Sequence, residues 1–447
     1  MALTIAESNK IAELYDKLVL RRPEDEKYLQ YVQLARKIEQ IGMAVPPEVR
    51  RFLMPVGWPY VVVDTLTSRQ QVRALLLPGE DSADEDLQAV WDANNMQARM
   101  KMQRQDRYTF GRSYISVGTN PKGGLPLIRV ESPREIEVEI DARAEAMTAA
   151  VRFYGYNDLG QGPLYATYYA PDYTKWLAME SGRWVEKAVD HHRLDAVPLV
   201  LDLNRQWSGS FEGMSELTEI LPLTDGSIRS LTNMQFAQEA HGVPGIWATG
   251  VSQGDFVGAD GQPLSQFEAY YDVVKMLTDP NAKWGQFSAA DLKNFETAMA
   301  VYGKQASIVT GFPARYFGLT TANPATEGAI IADEVQLVRK VEDKNESEGT
   351  TLGWVMGLAE RFRTGRWVEG NRIKIEYHNP ATPTMAQRED ALAKRRAAGV
   401  LSIEGYWDEL GWSEARKAKE REYLRREQSD PELAAIADRL MTGERTA

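Results

Sequence analysis

The sequence predicts an α+β chain in which helical and β-rich stretches are kept apart. Three observations predict it. Residues 110–205 carry successive alternating apolar segments bounded by turn residues, which read as antiparallel strands. Apolar positions at helical spacing dominate residues 5–42 and the stretch from 325 onward. Residues 379–447 form a highly charged helical tail.

The elements follow in order. Residues 5–42 read as two helices. Ile11, Leu14 and Leu18 share a face in the first, with Ser8 as N-cap. Pro23 followed by acids has the chemistry of a second helix start, and Gly42 ends that helix. The segment "AVPPEVRRFLMPVGWP" is punctuated by Pro and Gly and reads as a connection. An acidic loop then leads into an amphipathic helix whose buried face is Leu87, Val90 and Trp91. The strand block includes Ile136, Val138 and Ile140 in alternation.

The stretch 213–242 is helical, with Leu221, Ile228, Leu231 and Met234 on one face. Pro222 and Gly226 leave its start open. A short strand at 243–251, a Gly/Asp/Pro loop and a short helix at 265–279 follow. Residues 288–311 form a helix with Ser288 as N-cap and Leu292, Phe295, Met299 and Tyr302 on one stripe. From Pro324 a helix of about forty residues is expected. Ile331, Val335 and Val338 mark one stripe, and Leu352, Val355, Leu358 and Phe362 another. Its middle, "EDKNESEGTT", has no apolar residue and reads as a solvated bridge or a break near Gly349. "NRIKIEYHNP" is a strand. No fixed-period repeat is present.

At 447 residues the chain is long for one compact core, so two to four subdomains are expected. The apolar fraction of 43% supports packed cores rather than disorder. No apolar run approaches the ~20 residues of a membrane helix. The start "MALTIAESNK" carries no secretory pattern, so a soluble protein made in a cytosol, with no membrane partner, is expected. There is no cysteine, which removes disulfides, thiolate catalysis and cysteine-ligated metals. The net charge of -12 does not suit a tight DNA binder, which presents a dense basic face.

Motif chemistry points to no enzyme. "YFGLTTANPATEGAII", residues 316–331, has the glycines and threonines of a phosphate loop but no lysine at the required spacing. Gly303-Lys304 lacks the earlier glycine and continues with Gln305. Thr326 reads as a helix cap rather than an anion site. Of four histidines, His191 and His192 are adjacent, so their rings diverge, and they read as a surface turn. The acids of residues 79–87 read as a solvated loop rather than paired catalytic carboxylates. Residues 399–422 have a helix-turn-helix look around Gly411, but Arg416, Lys417 and Lys419 alternate with Glu414, Glu420 and Glu422. A helical hairpin held by i,i+4 ion pairs fits better than a groove reader. No catalytic, cofactor-binding or metal residue is expected.

The order of segments resembles the portal proteins of tailed bacteriophages, in the branch found in long-tailed phages of actinobacteria. Val63, Asp64, Arg69, Trp91, Asn94, Gly111, Tyr114 and Val117 are similar to that family's N-terminal run. "ESPREIEVEID" and "AAVRFY" look like its β-rich wing. The fullest likeness is residues 283–344, a helix ending in Gly-Phe-Pro, then a loop, then a long helix. Two departures are mild: Thr326 stands where the family often has Ser, and Gly328 near a frequent Ala.

The resemblance implies a portal-like α+β fold, with a β-rich wing, long stem and wing-crossing helices, and a helical C-terminal crown. It implies N-terminal helices and wing at 1–218, a first stem helix at 219–241 and a clip at 242–287. A second stem helix at 288–313, a tunnel loop at 314–324, a crossing helix and strand at 325–378 and a crown at 379–447 complete it. Leu319, Thr320, Thr321, Asn323, Thr326 and Glu327 would belong to the tunnel loop. Leu292, Phe295, Met299 and Tyr302 would pack the stem, and Trp247, Phe256, Tyr270 and Trp284 the clip interface. The implied assembly is a homo-oligomeric ring, usually of twelve subunits, at one capsid vertex of the virion, through which double-stranded DNA is packaged and ejected. The implied partners are the terminase large subunit, major capsid and scaffolding proteins, and head-completion proteins. An acidic, small-residue lining would let DNA slide, because basic groups would hold phosphates. Two other readings stay open: an acidic-site enzyme acting on carbohydrates or nucleotides, and another capsid or tail adaptor.

Overall fold

The computed structural model describes residues 3–35, 54–80, 82–156, 162–242, 246–250, 283–286, 292–319, 327–368, 373–381, 385–410, 412 and 414–429. The chain forms two compact units, Met1–Pro380 and Ala381–Ala447.

Helix α1, Ile5–Val32, is continuous where two helices are expected. Its cap is Thr4 rather than Ser8: the Thr4 side chain accepts from the Glu7 N–H while Glu7 accepts from the Thr4 N–H. Pro23 lies inside the helix. A proline there costs a backbone bond, but tertiary contacts hold both halves. Ile11, Leu14 and Leu18 pack on a sheet, and beyond Pro23 buried Asp25 pairs with Arg112 at 2.7 Å. Helix α2, Trp58–Arg69, takes Pro59 in its first turn. Its Val-Val-Val run is a poor helix former, yet Val62, Val63 and Leu66 are buried in one core. Burial outweighs propensity here.

Strand β1, Val72–Leu76, precedes α3, Glu85–Ala93, and α4, Met96–Phe110. The single amphipathic helix expected over this stretch is split at Asn95, which takes a left-handed conformation (φ 51). Leu87, Val90 and Trp91 are buried as the periodicity predicts.

The β-rich middle is antiparallel throughout, as the alternation predicts. Strands β2 (Arg112–Gly118), β3 (Leu127–Glu131) and β9 (Leu199–Leu203) form a three-stranded sheet in the order β3-β2-β9. Strands β4 (Ile136–Asp141), β5 (Ala146–Tyr156), β6 (Pro163–Tyr169), β7 (Thr174–Glu180) and β8 (Arg183–Asp190) form a five-stranded meander. Helix α1 covers one face of the meander through Leu14, Phe153 and Leu177. Tyr114, Ala150 and Leu199 join the two sheets.

Helix α5, Leu221–Gly242, takes Pro222 as its second residue and runs through Gly226. Strands β10 (Ile246–Thr249) and β11 (Lys283–Gln286) pair antiparallel, and the chain returns on α6, Lys293–Thr310. Ser288 and the helix expected at 265–279 lie outside the described residues.

Helix α7, Glu327–Thr364, spans 38 residues without a break at Gly349. Strand β12, Lys374–Tyr377, pairs with β1. The second unit holds α8 (Met385–Ala397), α9 (Ile403–Glu409) and α10 (Glu414–Ser429). Its hairpin is tied across helices more than along them. Arg421 bonds Glu404 through both carboxylate oxygens at 2.7 Å, Lys417 pairs with Asp408, and Trp407 stacks on Trp412 at 5.8 Å.

Candidate functional site

The long helix α7 is anchored by two apolar ends and a polar middle. Its first half buries Leu337 and Val341 against α2, α5 and Phe312. Its second half buries Leu352, Val355, Met356 and Ala359 against α3, α4 and the three-stranded sheet. The stripe expected at Ile331, Val335 and Val338 is out of phase: Ile331 is 42% and Val335 43% exposed. The buried face runs Glu334, Leu337, Val341, Lys344, Glu348, Leu352, Val355, which is one unbroken stripe at spacings of three and four.

The middle of that stripe is therefore neither a solvated bridge nor a break. Glu348 is fully buried and takes two hydrogen bonds of 2.8 Å from Arg104 and one of 2.9 Å from Tyr377. Arg107 lies 3.2 Å from Asp202 and donates to Ser347 at 2.8 Å. Asp202 also accepts from Gln103 at 2.6 Å and Thr351 at 3.1 Å. Lys340 and Lys344 each reach a different oxygen of Glu216 at 2.6 Å. Gln70 donates to Asn345 at 2.9 Å. Arg104, Arg107, Asp202, Glu216, Lys344 and Glu348 thus form a buried polar seam that joins α7 to α4, to β9 and to the segment before α5.

Electrostatics within the seam follow from burial and pairing. Burial pushes Glu216 up, but Lys340 and Lys344 overcome it and hold the carboxyl at about 2. Burial lowers Lys344 to about 8 against the pull of Glu216. Burial likewise raises Asp202, opposed by Arg107. Buried charges cost less when each is paired and hydrogen-bonded, and the seam pairs every one of these charges, although Arg107 Nε and Gln103 Oε1 have no hydrogen-bond partner of their own.

The segment before α7 is pinned at both ends. Helix α6 stops at Gly311 in the left-handed conformation (φ 71), with its amide bonded to the Ser307 carbonyl. The Ser307 hydroxyl donates to the Phe312 carbonyl at 2.6 Å. Residues Ala314–Phe317 make one 3-10 turn. From it Arg315 reaches Asp333 at 2.8 Å and also Glu334. Arg69 of α2 joins them, 3.1 Å from Glu334 and 2.9 Å from the Tyr316 hydroxyl. The turn at 314–317 is therefore tied both to α7 and to α2.

The stripe read on α6 divides: Leu292 is 38% exposed, while Phe295, Met299 and Tyr302 are half-buried. Met299 and Tyr302 pack against the core shared with α5. Gly226 of α5 makes that approach possible: a Cβ there would stand 2.8 Å from the Tyr302 ring. Of the residues expected in a tunnel loop, Leu319 is half-buried beside Gly303 and Glu327 opens α7. Thr320, Thr321, Asn323 and Thr326 lie outside the described residues, as do Phe256 and Tyr270. The backbones of Trp247 and Trp284 sit on the paired strands, opposite Gly285 and Ala248.

His191 is exposed, but His192 is half-buried against Phe362 at 5.9 Å, so the histidine pair is not wholly a surface turn. Among the described residues no cluster of three metal-ligating groups forms, and no helix is long and apolar enough to cross a membrane. Sequence reasoning missed the seam because buried lysines and glutamates look like solvated ones. The signal that could have found it is the unbroken three-and-four spacing joining Leu337 to Leu352 through Val341, Lys344 and Glu348.

Residues 26–432 match the family model described as phage portal protein, SPP1 Gp6-like. The chain is 36% identical over 423 residues to the portal protein of Mycobacterium phage D29, covering 91% of this chain and 85% of that one. It is 35% identical over 421 residues to the portal protein of Mycobacterium phage L5, with the same coverage. A solved chain from the neck of an empty GTA particle, computed with C6 symmetry, aligns over 86% of this chain and 94% of its own. At 15% identity and a TM-score of 0.46, that likeness is too distant to carry stoichiometry.

Proposed function

The chain belongs to the phage portal protein family, SPP1 Gp6-like, and from that premise we propose that it forms a ring at one capsid vertex through which double-stranded DNA enters and leaves the head. The family is a structural class, and the chain's role is to shape a channel rather than to turn over a substrate. The ring has about twelve copies, in keeping with closed cyclic assemblies of one subunit type. The α5–β10–β11–α6 hairpin serves as stem and clip, residues 314–324 as tunnel loop, α7 as crossing helix and residues 379–447 as crown. The clip meets the terminase large subunit during packaging and head-completion proteins afterwards. Capsid and scaffolding proteins surround the wing.

The observation that supports this reading is the bracing of the elements that flank residues 320–326. A loop touching moving DNA needs a rigid frame while its own side chains bind weakly. Arg315, Arg69 and Glu334 tie the turn at 314–317 to α7 and α2, and the seam around Glu348 keeps α7 from yielding. Small hydroxyl and amide side chains at Thr320, Thr321 and Asn323 offer the duplex no fixed positive charge. The experiment is a packaging assay with Thr321→Arg and Asn323→Arg together. Ring assembly is expected to persist while packaged DNA falls. Normal packaging by rings of that variant contradicts the tunnel-loop assignment.

A further inference from the structure

Strand β9 is an outer strand of its sheet. The Val117 N–H donates to the Pro198 carbonyl at 3.0 Å, and the register continues with Ile115 opposite Val200 and Ser113 opposite Asp202. Hydrogen-bonded pairs alternate along antiparallel strands, so Val200 and Asp202 bond to β2 and Leu201 turns its N–H and C=O outward. Among the described residues nothing pairs with those two groups of Leu201. A groove of about 800 Å³ opens along this edge. Thr350 and Trp354 of α7 line one side, and Ala146 and Met147 of β5 the other. Trp354 is 47% exposed, a large apolar surface with no cover in the single chain. The exposed charges on the groove are Glu145 and Asp195, and no lysine or arginine lines it.

The meander ends in a second open edge. Among the described residues strand β8 pairs only with β7, and Val185 and Val189 are each 37% exposed on it. Its exposed charges are Arg183 and Lys187, while Glu186 turns toward Lys175 at 3.5 Å. At the other end of the meander β4 contacts α1. One open edge is thus acidic and aromatic, and the other aliphatic, with Arg183 and with Lys187 paired to Glu180.

We propose that the β9 groove of one copy receives the β8 edge of the next copy, adding a strand across the subunit boundary. This rests on the ring reading and deepens it. A head-to-tail ring needs two different, complementary surfaces on each subunit. Strand addition supplies main-chain bonds for affinity, and side-chain pockets for selectivity. Open edges of this kind otherwise invite uncontrolled pairing, which makes covering them in the assembly a structural need.

The test uses the full chain, whose lack of cysteine makes cross-linking clean. Leu201→Cys is combined in turn with Val185→Cys, Lys187→Cys and Val189→Cys. Cross-strand disulfides need Cα atoms roughly 4.4–6.8 Å apart. Oxidation of assembled rings is expected to give a ladder of linked chains for at least one pair. In parallel, with Leu201→Ala as the control for the packing that Leu201 makes in the core, Leu201→Pro removes the outward N–H and leaves the bonds to β2. That variant is expected to keep its far-ultraviolet circular dichroism and to self-associate at least about tenfold more weakly. Wild-type rings that form while no pair cross-links, or Leu201→Pro rings that form as readily as wild type, overturn the edge pairing and leave the ring reading standing. A wild-type chain that forms no ring at any concentration, with capsid and scaffolding proteins also supplied, contradicts the ring reading, and this inference falls with it.

Discussion

Arg104 and Glu348 lie side by side in the protein interior, joined by two parallel hydrogen bonds of 2.8 Å. One belongs to the helix that opens onto the three-stranded sheet, the other to the middle of the 38-residue helix. Their side chains are 4% and 0% exposed. A pair this deep does not add much stability over well-packed apolar groups, but removing one member strands the other. Glu348→Ala should therefore destabilise the chain by about 3–5 kcal/mol. The double replacement Arg104→Met with Glu348→Leu should lose much less. Urea unfolding midpoints check the order, and equal losses in the single and double variants would contradict a stranded charge.

Glu216 makes the fold sensitive to acid. Its carboxyl sits at about 2 when folded, against an ordinary 4.5. A depressed carboxylate contributes stability that is present above its unfolded value and lost as pH falls through its folded value. That contribution should be complete above about 4.5 and fade toward 2. In Lys340→Met with Lys344→Met burial is left unopposed and raises the Glu216 carboxyl, so the variant should be destabilised at pH 7 and regain stability as pH drops toward 4.5, where wild type stays level. Thermal melts from pH 7 to pH 3 check this. Parallel curves for wild type and variant would refute it.

Gly213 rests on Gly111. A Cβ at Gly213 would stand 1.9 Å from the Gly111 carbonyl oxygen, and Gly111 itself is left-handed (φ 78) at the end of α4. The obstacle is backbone on both sides, with Asn204 2.8 Å away. Gly213→Ala should cost at least ~1–3 kcal/mol through forced displacement. Gly226→Ala meets only the Tyr302 ring and should cost less. Melting temperatures of both variants settle the ranking.

Arg315 and Arg69 converge on Glu334 from the turn and from α2. Glu334→Gln keeps the shape and removes the charge. It should lower the melting temperature, because Glu334 and Arg69 are 10% and 14% exposed and Arg69 loses its charge partner, while the pair with the 36% exposed Arg315 is screened and adds little. It should also raise amide exchange at Phe317 and Gly318, at the end of the turn. Unchanged exchange at those residues would show that the turn holds without the pair.

Much of this was legible in the residues. Alternation at Ile136 and Val138 announced an antiparallel sheet, and Leu87, Val90 and Trp91 announced the buried face of α3, because one face of each element is apolar. Pro23 misled, since the contacts of Leu18 on one side and Asp25 on the other override its local cost. Ile331 and Val335 misled as well. They are apolar but face away from the core, while Lys344 and Glu348 are charged and face into it. A charged residue buried with its partner carries no local mark, because the partner, Glu216 or Arg104, is distant in sequence. The family resemblance supplied what periodicity could not: the sequential order of hairpin, loop and long helix.

The most direct test of the ring is electron microscopy of the purified full chain, with class averages taken over a range of concentrations. The account predicts closed rings of about twelve subunits around a central channel, in line with cyclic homo-oligomers. Dimers or monomers at every concentration, with capsid and scaffolding proteins also supplied, would contradict it.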